Sequence, residues 1–549
     1  PYSLYRLFVR TGDRQRFEER FFLRRRNLTV AAAAYFLRPQ PELLDATHDY
    51  LWAICEESTW ILPAHEHGGV DLFACETALW LAETLELLKG RIAAEVESRV
   101  RTEIERQVVG PFMAFVGGAA AKQTPIGEAN LADLVAGRRT HAFRWFKGRN
   151  NWNGVCAGAT GAAMLWLESD PRRLARGLNA LLDSLAFYLE KAFSADGASD
   201  EGVAYWQYGL GNFVIFSELL RDRTCGQINL LAHPRMAFIA QYPSAVLLSP
   251  GRFYNPADCS PTAELRPGFA ARLAKHTGVE SLRGLVGRKP RIGHNISALS
   301  RALLWRDDRA RPTIKIGDVL LPAGGVFRLR SKALVLAGKA GHNQENHNHN
   351  DVGSFVLHCR GEDLLCDPGA PTYNRDFFGP RRYELFPQAQ SWGHSLPVIG
   401  GKQQAFGREF CGRVERFEPS GAHKSVELEF ARAYPLKRLT VLRRRLEIAP
   451  GGRFLLEDRF SFSGRPLPVE EALVTWLPVS VKGRTVIIRG RKSTLALRIS
   501  APANASFRLE RLQLQRQDRE SSTLRRLTVH LPADAGGIFR LTGTVRRRG

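Results

Sequence analysis

The segment Pro312-Thr313-Ile314-Lys315-Ile316-Gly317-Asp318-Val319-Leu320-Leu321 marks the point at which the texture of the chain changes. Before it, from about Asn27 to Gly287, apolar residues recur at helical spacing, as in Leu81, Leu85 and Leu88 and again in Leu174, Leu178, Leu181, Leu185 and Leu189. Breaks at Pro63, Pro111, Asp170-Pro171, Pro234 and Pro250-Gly251 cut that region into hairpin-length pieces, which suits helix pairs wound into a ring or a superhelix. From this segment onward come short β-rich runs separated by Gly, Pro and Asp turns, at residues 313–321, 326–337, 353–359, 363–367, 426–431, 439–448, 454–462, 486–489 and 524–531. Many antiparallel strands in succession read as a sandwich. The expected architecture is an α+β multidomain chain, helical over 1–300 and β-sandwich over 301–549, with residues 282–308 as the linker.

Composition sets the outer limits. With 549 residues, 44% hydrophobic and 24% charged, the chain is far too apolar to remain disordered. Lys and Arg number 78 against 55 Asp and Glu, a net charge of +23 that concentrates polyanions near the surface. Nucleic acid, acidic polysaccharide and anionic membrane are the partners this charge admits. No run of eighteen apolar residues is present, which excludes a transmembrane helix. The start, Pro1-Tyr2-Ser3, reads as that of a processed or trimmed chain, so the location is unknown: periplasmic, secreted and cytoplasmic are all open. Eight scattered Cys without metal-knuckle spacing read as mostly reduced core residues. Residues 501–549 hold ten Arg against four acidic residues and end in Arg546-Arg547-Arg548, which reads as a frayed basic tail.

Four constellations carry chemistry. In Gly341-His342-Asn343-Gln344-Glu345-Asn346-His347-Asn348-His349-Asn350-Asp351, imidazoles and amides crowd the entrance to an apolar run; burying them without partners is costly, so they face a wet cleft or a metal. His347 and His349 share one side of an extended chain. Downstream, Asp367-Pro368-Gly369 ends a strand at a turn, and His394 precedes another apolar run. Two imidazoles and one carboxylate brought together across adjacent strands make a Zn²⁺ set with a fourth position open. In the helical region, Arg149-Asn150-Asn151-Trp152-Asn153 precedes a small-residue helix; one Asn caps it, and amide donors at a helix start with Arg149 beside them suit a carboxylate. Finally, Glu201, Tyr205 and Tyr208 fall on one helical face by i, i+4, i+7 spacing, an acid with two phenols that could equally be a core cluster.

Together, Asn150-Asn151-Trp152, Glu201-Gly202-x-x-Tyr205-Trp206-x-Tyr208, His347-x-His349-x-Asp351-x-Gly353-Ser354-Phe355, Asp367-Pro368-Gly369 and His394 resemble the heparinase II/III-like polysaccharide lyases, in the expected order over about residues 50–400. The resemblance implies an N-terminal (α/α) toroid joined to an antiparallel β-sandwich, with the active site between them. It implies β-elimination on uronate-containing polysaccharide, leaving a 4,5-unsaturated uronate. Asn151 then matches the carboxylate-neutralising amide, Tyr205 the catalytic tyrosine and His347 the catalytic histidine, with Arg149, Asn150, Glu201 and Tyr208 beside the substrate. His349, Asp367 and His394 match a structural metal set, expected to hold Zn²⁺. Two departures stand out. Trp152 replaces a His found in some relatives, and a second catalytic tyrosine aligns with either Tyr373 or Tyr383. Glu56-Glu57-x-x-Trp60 and Pro63-Ala64-His65 also look like a toroid motif of the family, with no role assigned.

A glycosaminoglycan such as heparan sulfate, chondroitin sulfate or hyaluronan suits the +23 charge best. Alginate or another polyuronate suits the same charge, and a non-catalytic acidic-polysaccharide-binding protein is the alternative class. Nucleic acid ranks last, because no recognised nucleic-acid-binding pattern accompanies the Arg-rich composition.

Overall fold

Helix Pro171–Lys191 shows how the leucine stripe builds the first half of the molecule. Asp170 accepts the N–H of Arg172, Pro171 fits the first turn, and Leu174, Leu181, Leu185 and Leu189 are buried along one side. A computed structural model describes residues 1–66, 69–118, 143–287, 293–305, 307, 309, 311–332, 334–517, 521–533 and 537–548. The predicted linker over 282–308 lies partly outside them. Helices Gln15–Leu37, Pro41–Cys55, Leu72–Leu87, Ala94–Ile104, Asn151–Leu167, Gly202–Arg223, Met236–Ala245, Pro267–Thr277 and Ile296–Leu304 make up most of the rest of this half.

Two of these helices position the site. Asn151–Leu167 and Gly202–Arg223 run in parallel at a distance only glycine permits: Gly154 meets Gly209, Gly158 meets Asn212, and Gly161 meets Phe216. A Cβ on Gly158 would lie 2.6 Å from the Asn212 carbonyl, and one on Gly209 would lie 3.1 Å from the Asn151 Cα. The small-residue run is therefore a close-packing surface that brings the starts of both helices together.

The strands, in chain order, are Leu247–Ser249 (β1), Arg252–Phe253 (β2), Val319–Leu321 (β3), Val326–Ser331 (β4), Leu334–Lys339 (β5), Gly341–Asn343 (β6), Phe355–Cys359 (β7), Glu362–Leu365 (β8), Val398–Ile399 (β9), Gly407–Glu418 (β10), Lys424–Glu429 (β11), Leu439–Ala449 (β12), Arg453–Phe462 (β13), Val469–Thr475 (β14), Val479–Lys482 (β15), Thr485–Arg489 (β16), Ser493–Ala501 (β17), Phe507–Gln515 (β18), Ser521–Leu531 (β19) and Ile538–Arg547 (β20). β1 and β2 form a hairpin within the helical half. The others form antiparallel sheets in the orders β3-β4-β5-β7-β8, β15-β16-β17-β20-β13-β12-β11-β10-β6 and β18-β19-β14-β9.

The five-stranded sheet is the joint between the halves. Val335, Ala337 and Val356 from it belong to the helical core, while Leu336, Phe355 and Leu357 belong to the sandwich core. Burial on both faces explains why β5 and β7 read as continuous apolar runs without alternation. In the sandwich core, Arg444 is fully buried against Asp458 and also donates to the carbonyls of Gly353 and Ser395, 2.9 and 2.7 Å away. That one guanidinium ties the core to the two loops carrying the histidine motifs.

Three expectations change. The run 313–321 is strand only over Val319–Leu321, and the run 326–337 is a hairpin of β4 and β5. The basic tail is not frayed: Arg546 and Arg547 end β20, which pairs with β13 and β17 inside the nine-stranded sheet. All eight cysteines are free, and six are buried.

Candidate active site

Asn150, Asn151 and Asn153 have three different tasks. Asn150 is the N-cap of helix Asn151–Leu167, its Oδ1 accepting the N–H of Trp152. Asn153 is buried in hydrogen bonds to Gly148 and Ser184, so it supports the turn. Asn151, at the first helical position, turns both its backbone N–H (2.7 Å) and its Nδ2 (2.5 Å) onto the carboxylate of Glu201. Burial pushes Glu201 up to about 7, despite the opposing pull of His347 and the Asn151 donors, and neighbouring Asp200 pushes in the same direction.

The loop after β6 docks onto this helix pair. Asn346 donates its backbone N–H and Nδ2 to Asp200 and its Nδ2 to the Arg149 carbonyl. His347, at φ 56, adopts the left-handed backbone region that non-glycine residues rarely adopt outside constrained sites. Its ring stacks on Tyr205 at 4.2 Å, with Nε2 3.7 Å from Glu201 and Nδ1 2.9 Å from Asp258. The Tyr205 hydroxyl lies 2.6 Å from that of Tyr373. Burial, with Asp258 adding to it, raises the Tyr205 phenol well above its usual value, so the hydroxyl keeps its proton. Of the two candidates for a second tyrosine, Tyr373 is therefore the one in the cluster. Tyr383 instead hydrogen-bonds Asn348 and stacks on Phe406, and burial pushes it up to about 12.

Asp258 is the residue that the sequence reading missed. It lies in the irregular stretch 254–259, next to Ala257 at φ 58, and is fully buried. One carboxylate oxygen receives His347 Nδ1; the other receives His349 Nε2 and a guanidinium nitrogen of Arg382, each at 2.9 Å. Burial would raise this acid, but Arg382 and the two imidazoles outweigh it and hold it ionised far below the carboxylate range. An ionised Asp258 keeps the proton on His347 Nδ1 and so leaves Nε2 as the free base nitrogen.

The metal reading is reshaped as well. Asp351, Asp367 and His394 place one ligand atom each within 4.8 Å of one another, all of them buried. His394 donates Nε2–H to the Gln388 carbonyl, which leaves Nδ1 buried, without a hydrogen bond, and 3.3 Å from an Asp367 oxygen. Asp351, absent from the predicted set, also pairs with Lys339 at 2.8 Å. His349 is outside this trio because Asp258 takes its Nε2, but its Nδ1 is likewise buried without a hydrogen bond, and its ring lies 5.4 Å from that of His394. Two orphaned imidazole nitrogens beside two carboxylates fit a cation.

Tyr208 is not part of the cluster. Its hydroxyl donates to Glu76 at 2.7 Å, and Asn212 donates to the same carboxylate at 3.1 Å, seven and eleven residues along the helix from Glu201. The i+7 position on that face serves the interior of the helical half. His65 packs against Trp152 at 4.9 Å, with Asp71 on its Nδ1, and burial lowers it to about 4.

Residues 315–520 match the family model described as heparinase II/III-like, C-terminal. Among solved structures, the chain is similar to a heparan sulfate lyase HepC mutant from Pedobacter heparinus, at 13% identity and TM-score 0.61, over 96% of this chain and 76% of that one. A structure of heparinase III gives 13% identity and TM-score 0.66 with the same coverage. A chondroitin AC lyase from Streptomyces coelicolor A3, in complex with chondroitin sulphate, gives 13% identity and TM-score 0.50 over 94% of this chain and 74% of that one. No curated protein matches the chain in sequence. The fold is thus the toroid and β-sandwich of the heparinase III-like structures, and the C-terminal half carries a heparinase II/III-like domain.

Proposed function

We propose that the protein is a polysaccharide lyase that cleaves uronate-containing acidic polysaccharide by β-elimination, with a glycosaminoglycan as its substrate class. One observation carries the reading: Asn151, Tyr205 and His347, from three separate segments, converge on one cluster with Tyr373 and Glu201. We place the boundary between toroid and sandwich near residue 300.

In this reading the uronate carboxylate lies against Asn151 and Glu201. Removing the C5 proton pushes charge onto that carboxylate, and each well-placed donor there contributes about 3 to 4 kcal/mol. Glu201, titrating near neutrality, supplies a proton as well as an acceptor. His347 Nε2 takes the C5 proton, the C4–O4 bond breaks as the C4=C5 bond forms, and the Tyr205 hydroxyl protonates the departing O4. Tyr373 holds the Tyr205 hydroxyl in place, and the cycle closes when His347 releases the C5 proton to solvent and Tyr205 regains one from it. Proton transfers of this kind contribute roughly 10²- to 10⁴-fold each. Asp351, Asp367, His394 and His349 would hold a divalent ion, for which the mixed His and carboxylate set suits Zn²⁺. Bound there, the ion would fix the loops beneath His347.

Incubation with heparan sulfate, chondroitin sulfate, hyaluronan and alginate, read by absorbance of the conjugated C4=C5 product, tests the proposal. Absorbance growth on a glycosaminoglycan supports it, growth on alginate alone moves the substrate class, and binding without any product makes the protein a binder.

A further inference from the structure

The nine-stranded sheet carries its charge unevenly. Over β10 to β13 most of the arginines are matched: Arg413 pairs with Glu415 and Glu429, Arg443 with Glu415, Arg445 with Glu427 and Glu447, and Arg459 with Glu457, while Arg453, opposite Thr544, bonds only the Pro450 carbonyl. At the other end of the sheet, β15, β16, β17 and β20 contain no Asp or Glu at all. Arg540 on β20 is paired to Glu457 of β13 and forms the border. Beyond it Lys482, Arg489, Arg498 and Arg546 are exposed, with no ion pair to any of them among the described residues. Glu362, beside the turn between β16 and β17, is held by the backbone N–H groups of Arg491, Lys492 and Ser493.

The register arranges these cations on one outward face. Thr494 lies between Arg489 on β16 and Arg546 on β20, so the two guanidinium stems stand two strand spacings apart, about 10 Å. Arg498 lies four residues further along β17, about 13 Å, flanked by Thr485 and Thr542, and Lys482 lies beyond Thr485. Buried Val486, Ile488, Leu495, Leu497 and Val545 alternate with the outward residues, so a packed sheet fixes the stems of the grid. Thr485, Thr494 and Thr542 lie across the strands from the cations, and Ser480, Ile487, Ala496 and Thr544 form the row between them.

We propose that this face is a second binding surface for acidic polysaccharide, remote in sequence from the catalytic cluster, which holds the polymer while the cleft acts on it. The inference rests on the lyase reading for its choice of polymer. The face itself narrows the partner: it sets hydroxyls beside its cations, and none of its outward side chains is aromatic. It therefore lacks the stacking platforms that bind single-stranded nucleic acid, and Ile487, set among the cations, offers little apolar surface to a membrane. A regular grid of cations with hydroxyls beside them suits a chain of sugar rings bearing regularly spaced anions.

The test uses the full chain and immobilised heparan sulfate. Arg489→Ser/Arg498→Ser/Arg546→Ser removes three charges from the face, and Arg413→Ser/Arg443→Ser/Arg459→Ser removes three from the paired half of the same sheet. The first variant should lose at least about tenfold in affinity, and its slope of log affinity against log salt should fall by about 3, as for three released counterions. The second should bind nearly as the unmodified protein does. Equal losses in the two variants, or no loss in the first, overturn the proposal, as does duplex DNA competing as well as heparan sulfate at equal charge. All of these are binding readouts, so they stand even if no polymer is cleaved. If cleavage is found, the first variant should lower kcat/KM on long polymer several-fold and leave a tetrasaccharide unaffected; equal effects on both also overturn it.

Discussion

At the residue scale, Tyr205 and Tyr208 share a helix and a side-chain type but not a neighbourhood, so their Phe variants separate chemistry from packing. Tyr205→Phe should abolish turnover, by 10²-fold or more, with the melting temperature nearly unchanged, because only the bond to Tyr373 is lost. Tyr208→Phe should keep turnover within a few-fold and reduce stability, since Glu76 loses a donor while buried. A reversed ranking makes Tyr208 the catalytic phenol. Asn151 gives a second contrast. Asn151→Ala should lose about 10²-fold in kcat. Asn151→Asp should be worse, because it sets a second carboxylate against Glu201 at the present 2.5 Å contact. An Asp variant with ordinary turnover removes Asn151 from the mechanism.

At the element scale, the parallel pair of helices Asn151–Leu167 and Gly202–Arg223 sets the distances that the residues exploit. Gly158→Val should lower the melting temperature by several degrees and kcat with it, because its side chain meets the Asn212 backbone and no flexible side chain. The same pair buries Glu76, which burial raises to about 7. An acid whose folded pKa is raised supports stability only below its unfolded pKa and erodes it as pH climbs from about 4.5 toward 7. Glu76→Gln should therefore stabilise the protein at pH 8, by up to about 3 kcal/mol, and gain nothing at pH 4; thermal melts of both proteins at the two pH values check it. What was legible follows the same divide. His347, Asp367 and His394 sit in dense local motifs, and the helix and strand textures were readable from periodicity. Asp258 belongs to no motif, and its partners lie about 90 and 124 residues away in sequence. Asp351 lies within the histidine motif, yet only the packing of three loops makes it a ligand candidate. Tyr373 and Tyr383 were indistinguishable in sequence because both follow the Asp-Pro-Gly turn. β20 was hidden because a strand with arginines on its outward face has the composition of a tail.

At the scale of the whole molecule, metal and stability are linked through the loops that meet at Asp367 and His394. Prolonged chelation should lower the melting temperature by several degrees, with Asp367→Ala showing no further drop; metal analysis finding no ion in active protein overturns the site while leaving the lyase reading standing. The cluster is also shared between the halves: Asn151, Glu201, Tyr205 and Asp258 come from the helical side, and His347 and Tyr373 from the β side. Asp258 in particular sets the tautomer of an imidazole that the other half of the chain supplies. A recombinant joining this toroid to a relative's sandwich would keep two intact cores and should turn over substrate only where the incoming imidazole still meets the resident carboxylate.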